Sequence, residues 1–151
     1  MLKPDRSQKR LGKSDLMVGP ISYGHWRLAE GTSAEAGDKT RAALDAGMTM
    51  IDTASIYGYP DFGAAEALFG EVLKAEPSLR DKIVLATKAG IYPPTPYDCT
   101  PDKIIETCED CLRRLNTDVI DLFYIHRPDM LTPHADVAEG LMRLVEAGKV
   151  K

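Results

Sequence analysis

The sequence is poor in the features that mark several protein classes. It has three cysteines in 151 residues. That odd, small number argues against a disulfide framework. No apolar run approaches the roughly 20 residues of a membrane-spanning helix, so no membrane partner is expected. The opening Met1-Leu2-Lys3-Pro4-Asp5-Arg6 is charged and lacks the apolar core of a secretory leader, which points to a cytoplasmic protein. A basic excess is missing too: 19 basic against 23 acidic residues leave a net charge of −4. A nucleic-acid binder needs a basic footprint, so none is expected as a partner. There is no G-x-G-x-x-G phosphate loop.

What is present is ordinary globular composition, 44% hydrophobic and 28% charged, in a chain of single-domain length. A chain of this size buries about 68–70% of its unfolded surface, enough for a core without staples.

The chain alternates strand and helix. Arg10 to Val18 reads as a small hairpin around Gly12-Lys13-Ser14-Asp15. Ile21–Gly24 is a short strand. Thr32 and Glu35 form a capping box, and the helix they open runs through Ala42, Ala43 and Leu44 to a terminating Gly47. Met48–Asp52 is the second strand, and Ala64 to Lys74 the second helix. Ile83–Lys88 is the third strand, rich in β-branched residues. Thr100-Pro101 reads as a cap with proline in the first turn. The helix after it puts Ile104, Ile105, Cys108, Cys111, Leu112 and Leu115 on one stripe. Val119–His126 is the fourth strand. Thr132-Pro133 reads as another cap, with a helix ending at Gly148, and Val150-Lys151 opens a fifth strand.

Strands alternating with helices imply parallel pairing and right-handed crossovers. Two folds accept four such units: a small open doubly wound sheet, or the first half of a (β/α)₈ barrel, which needs about 250 residues in full. The chain stops two residues into an apparent strand, which favours the half barrel.

In parallel α/β folds chemistry gathers where strands end. Asp52, Lys88 and His126 end the second, third and fourth strands, and Tyr57 follows Asp52 by five residues. Tyrosine is a poor proton donor at neutral pH, but a neighbouring ammonium favours its ionised form. Lys88 supplies that ammonium, Asp52 can orient it, and His126 can donate to a substrate oxygen. The set suits protonation of an oxygen as negative charge develops on it. Taken singly, each of these residues is as readily a cap, a solvated charge or a structural histidine. Their recurrence at matching strand ends is what points to a site.

Asp52-Thr53-Ala54-Ser55-Ile56-Tyr57-Gly58 resembles the signature of the aldo-keto reductases. Ala86-Thr87-Lys88 is similar to that family's lysine strand, and Asp118 to Asp129 to its histidine strand. Arg10-Leu11-Gly12-Lys13 and Tyr23-Gly24-His25-Trp26-Arg27-Leu28 are similar to its start, with a wording close to a bacterial branch. The resemblance implies a (β/α)₈ barrel that passes a hydride from NADPH to a small aldehyde or ketone. It implies Tyr57 as general acid, Lys88 as the cation that eases its proton loss, Asp52 as the partner of Lys88, and His126 as the group orienting substrate. It also implies that nicotinamide lies near Gly24, His25, Trp26 and Asp52.

Two departures stand out. His25 replaces a commoner Gly-Thr-Trp wording. Tyr59-Pro60-Asp61-Phe62 lengthens the link to Glu66 and is expected to shape the substrate mouth or to be a plain insertion. Residues 1–151 are expected to be the N-terminal half of the barrel, with the C-terminal half absent. Such a half, with two sheet edges and a bare apolar inner face, is expected to self-associate and to be inactive alone. A nucleotide-sensing protein of the same fold, and an inactive half-barrel, are the alternatives.

Cys108 and Cys111 match C-x-x-C, but mid-helix on an apolar stripe they read as core fillers, so no metal is expected. Tyr92, Tyr97 and Trp26 wall a pocket or pack loops. Pro93, Pro94 and Pro96 form a stiff loop after Lys88.

Overall fold

The computed structural model describes residues 6–94 and 97–151. The opening Met1–Asp5 stretch and Pro96 lie outside the described residues. Two strands, β1 (Lys9–Arg10) and β2 (Met17–Val18), form an antiparallel hairpin with Lys9 opposite Val18. Ser14 closes its turn, its hydroxyl donating to the Leu11 carbonyl at 2.7 Å. The main sheet is parallel, in the order β3 (Ser22–Gly24), β4 (Met50–Asp52), β5 (Val84–Ala89) and β6 (Leu122–Ile125). Helices α1 (Ser33–Asp45), α2 (Ala64–Ala75), α3 (Pro101–Leu115) and α4 (His134–Glu146) alternate with these strands.

Strand order follows chain order, and the helices pack in the same succession, α1 on α2, α2 on α3 and α3 on α4. A doubly wound sheet would reverse its order at a switch point. Sequential order with helices along one face is the arrangement of a partial (β/α)₈ barrel. Beyond β6, Ile120 bridges Val150 in parallel, where the sequence places the start of a fifth strand.

The capping box at α1 forms in full. The Glu35 N–H donates to the Thr32 hydroxyl, and the Glu35 carboxylate accepts from the Thr32 N–H at 2.8 Å. The cap expected at Thr132 does not form. Helix α4 starts one residue later, with Pro133 in the N-cap position, because the Thr132 hydroxyl donates instead to Asp129 at 2.6 Å. Thr100 keeps its N-cap position, but its hydroxyl turns to Asp98 at 2.7 Å.

Between sheet and helices lies the main core. Ile51, Leu85 and Phe123 from the strands meet Phe69, Leu73, Ile104, Cys108, Cys111 and Leu115 from the helices. Burial of one such side chain contributes about 1.5–3 kcal/mol. Gly70 lets α2 lie directly on α3, since a Cβ there would come within 1.9 Å of the Arg114 carbonyl oxygen.

The sheet's other face corrects an expectation. Its lower half is not bare: Met50, Val84 and Ala86 are buried and packed against Leu122 and against Leu16 and Val18 of the hairpin segment. The hairpin therefore covers that end of the inner face. Toward the C-terminal ends of the strands, the same face carries Gly24, Asp52, Lys88 and Tyr124.

Candidate active site

Pleating and parallel register bring the strand-end residues to one side. Asp52 ends β4, Lys88 is the penultimate residue of β5, and His126 follows β6 directly. The chain then turns, and the Tyr57 N–H donates to the Ala54 carbonyl at 3.0 Å. The start of α2 clasps the Tyr57 carbonyl, which accepts from the Gly63 N–H at 3.0 Å and the Ala65 N–H at 3.3 Å.

Lys88 is the hub. Its ammonium donates to Asp52 Oδ2 at 2.8 Å, to the Thr53 carbonyl at 2.7 Å and to the Tyr57 hydroxyl at 3.3 Å. All three of its N–H bonds thus have an acceptor. The Lys88 side chain is 15% exposed and Asp52 28%, so solvent screens the pair less than a surface one. The same ammonium lies 5.0 Å from the Tyr57 ring centroid.

His126 stands edge-on to the Tyr57 ring at 5.8 Å. Burial first, then the charges of Lys88 and Arg127, push its pKa below the ordinary histidine value, against a smaller pull from Asp52. The imidazole is therefore neutral near pH 7 and can donate from one nitrogen only. Trp26 stacks on Tyr57 at 5.6 Å, with an angle of 23° between rings.

Tyr57, Trp26 and His126 line a cleft of about 680 Å³. The Tyr59–Phe62 stretch forms part of its wall. Arg27, Glu30 and Arg127 line it as well, three polar residues that the strand-end pattern does not mark. Tyr92 is loop packing: its hydroxyl accepts from the Gly90 N–H and bonds Thr107 at 2.8 Å. Tyr97 accepts from Arg127 at 3.3 Å.

The residues expected to meet a cofactor divide. Gly24 faces open space, with nothing within 4 Å of where a Cβ would stand. Trp26 is 72% exposed beside Tyr57. Both residues are exposed at the surface. The His25 side chain does not reach the cleft. It is fully buried, edge-on to Phe69 at 4.6 Å and Tyr23 at 5.0 Å, and burial pushes its pKa down to about 3. Only its backbone serves the site, the N–H donating to the Asp52 carbonyl at 2.8 Å.

Cys108 and Cys111 are buried and free, and burial pushes the Cys108 thiol up to about 12 and Cys111 higher still. Among the described residues no cluster could hold a metal ion. None of their helices is long and apolar enough to cross a membrane.

The family model for aldo/keto reductases matches residues 20–151. The chain belongs to the aldo/keto reductase family. It is 51% identical over 148 residues to a 6-dehydroglucose reductase from Novosphingobium aromaticivorans, covering 95% of this chain and 49% of that one. It is 37% identical over 146 residues to the aldo-keto reductase YhdN of Bacillus subtilis, covering 94% and 41%. In structure it superposes on aldo-keto reductase AKR11C1 from Bacillus halodurans in its holo form. The TM-score is 0.82 at 31% identity, over 96% of this chain and 48% of that one. The chain thus spans about half the length of the reductases it matches.

Proposed function

We propose that the protein reduces an aldehyde or ketone to an alcohol with NADPH. The observation that carries this reading is the Lys88 ammonium, bonded at once to Asp52 and to the Tyr57 hydroxyl at the head of an open cleft. When bound, the dinucleotide supplies a hydride to the carbonyl carbon. The Tyr57 hydroxyl gives its proton to the carbonyl oxygen as negative charge builds there. Lys88 stabilises the tyrosinate left behind, and Asp52 and the Thr53 carbonyl keep the ammonium aimed. Neutral His126 donates to the same substrate oxygen and sets its angle. Gly24, Trp26 and Asp52 would hold the nicotinamide ring.

The relatives named for 6-dehydroglucose support a sugar aldehyde as substrate. Arg27, Glu30, Asp61 and Arg127 offer donors and acceptors for hydroxyl groups. Trp26, Tyr59 and Phe62 offer apolar faces for the C–H side of such a molecule. Residues 1–151 would form the first four βα units of the barrel. The outer edges of β3 and β6 would then need further chain, or a second copy, before turnover.

The test uses the intact protein. Binding of NADPH is followed by fluorescence, and reduction of a sugar aldehyde by nicotinamide absorbance. Saturable binding with turnover is expected. Binding without turnover of any aldehyde or ketone would instead favour a nucleotide-sensing role.

A further inference from the structure

Glu66 is a carboxylate with no exposure at all, placed in the first turn of α2. Its Oε1 accepts from the Thr87 hydroxyl at 2.5 Å. Its Oε2 accepts from Arg114 Nε at 2.8 Å and lies 2.7 Å from Arg114 Nη2. A buried charge is costly even when paired, and an apolar side chain of similar size would often stabilise a fold as well. The groups it joins suggest what the charge is for.

Thr87 precedes Lys88 on β5, with its side chain toward the helices while Lys88 faces the cleft. The start of α2, where Glu66 sits, is the same turn that clasps the Tyr57 carbonyl through the Gly63 and Ala65 N–H groups. The Arg114 side chain also lies directly against Gly63, where a Cβ would come within 2.8 Å of its Cδ and Nε. One cluster, buried at Glu66 and Thr87 and partly exposed at Arg114, therefore joins the strand that carries Lys88 to the turn that carries Tyr57.

We infer that Glu66 is a positioning residue, which sets the separation of Lys88 from the Tyr57 hydroxyl through its bonds to Thr87 and Arg114. The inference rests on the proposed carbonyl reduction for its effect on rate, though not for its geometry. The bond from Thr87 is the one to cut, because it leaves the ion pair and the shape of the core intact.

The experiment compares Thr87→Val and Thr87→Ser with wild type in the intact protein. Both variants are checked by thermal melting, assayed for kcat and KM, and crystallised. Valine removes the hydroxyl and keeps the shape; serine keeps the hydroxyl. In Thr87→Val the separation should grow beyond the 3.3 Å seen here. Its kcat should fall about tenfold or more with KM little changed, since misplacement by about 1 Å can cost as much as 10²-fold. Thr87→Ser should keep wild-type kcat. A wild-type kcat in folded Thr87→Val would overturn the inference. So would a loss of kcat with the separation unchanged, or an equal loss in Thr87→Ser. If Thr87→Val does not fold, Glu66→Gln, which keeps the volume and removes the charge, is read by the same criteria. If the wild-type protein reduces no carbonyl, the functional reading fails on its own, and the crystallographic separation still decides the positioning claim.

Discussion

Two carboxylate–cation pairs stand at opposite ends of the same sheet. At the lower end, Asp121 is 2% exposed in its side chain and accepts from the Leu85 N–H at 2.8 Å. It pairs with Arg80 at 2.8 Å and Lys151 at 2.6 Å. Arg80 spends its other donors on the Val119 and Ile83 carbonyls and the Thr117 hydroxyl. At the upper end, Asp52 pairs with Lys88, and Lys88 reaches an ionisable phenol that lines a cleft. The ingredients are alike. The difference lies in the third partner: backbone and an alcohol below, a titratable group open to the cleft above. An ion pair reads as chemistry when one of its members touches a group that can give up a proton.

That contrast predicts different losses at the two ends. Tyr57→Phe should keep NADPH binding and lower kcat by about 10²–10⁴-fold, the usual contribution of one general acid. Lys88→Met should act similarly at neutral pH, because the tyrosinate loses its counter-charge. Stopped-flow reduction of an aldehyde checks both. Asp121→Asn should leave kcat unchanged in the folded protein and cost about 2 kcal/mol in urea unfolding, since Arg80, Lys151 and the Leu85 N–H lose their charged acceptor while Arg80 keeps its carbonyl and hydroxyl partners. Should Asp121→Asn lower kcat as far as Tyr57→Phe does, the division between the ends fails.

Acid separates the two regions further. Burial alone would raise the Asp121 carboxyl, but the Leu85 N–H, Lys151 and Arg80 together hold it below the ordinary value. Its stabilisation is then present above the unfolded carboxyl range and is lost only as pH falls below about 4. His25 works in the opposite sense. Its folded pKa of about 3 lies below the unfolded value, so unfolding takes up a proton between about pH 6.5 and 3. Stability should fall across that window by up to about 1.4 kcal/mol per pH unit. His25→Phe should flatten this slope in chemical unfolding measured at several pH values. The smallest effects belong to the α3 stripe. Cys108→Ala and Cys111→Ala should each cost about 1 kcal/mol, leave kcat alone and release no zinc; stoichiometric zinc in the purified protein would contradict this.

The repeat of strand and helix was legible because buried parallel strands are apolar and their helices carry stripes and caps. The convergence of Asp52, Tyr57, Lys88 and His126 was legible for a related reason: parallel strands deliver their last residues to the same side. The Thr132 cap misled because its hydroxyl had a stronger local acceptor in Asp129, a carboxylate three residues back. Glu66 carried a signal that went unused. It shares a helical stripe with Phe69 and Leu73, so a charge there had to be buried. Its partner Arg114 is 48 residues away in sequence, and only the packing of α2 on α3 joins them. The covering of the inner face by Leu16 and Val18 was hidden in the same way, since nothing local in the hairpin says which end of the sheet it closes.

In the proposed reaction Tyr57 delivers the proton that completes carbonyl reduction. The most direct test is a single-turnover reaction of the intact protein with NADPH and a sugar aldehyde, wild type against Tyr57→Phe. The nicotinamide absorbance is followed under conditions where hydride transfer limits the rate. Equal NADPH affinity and a hydride-transfer rate at least about 10²-fold slower are expected in the variant. Equal rates in the two proteins would contradict it.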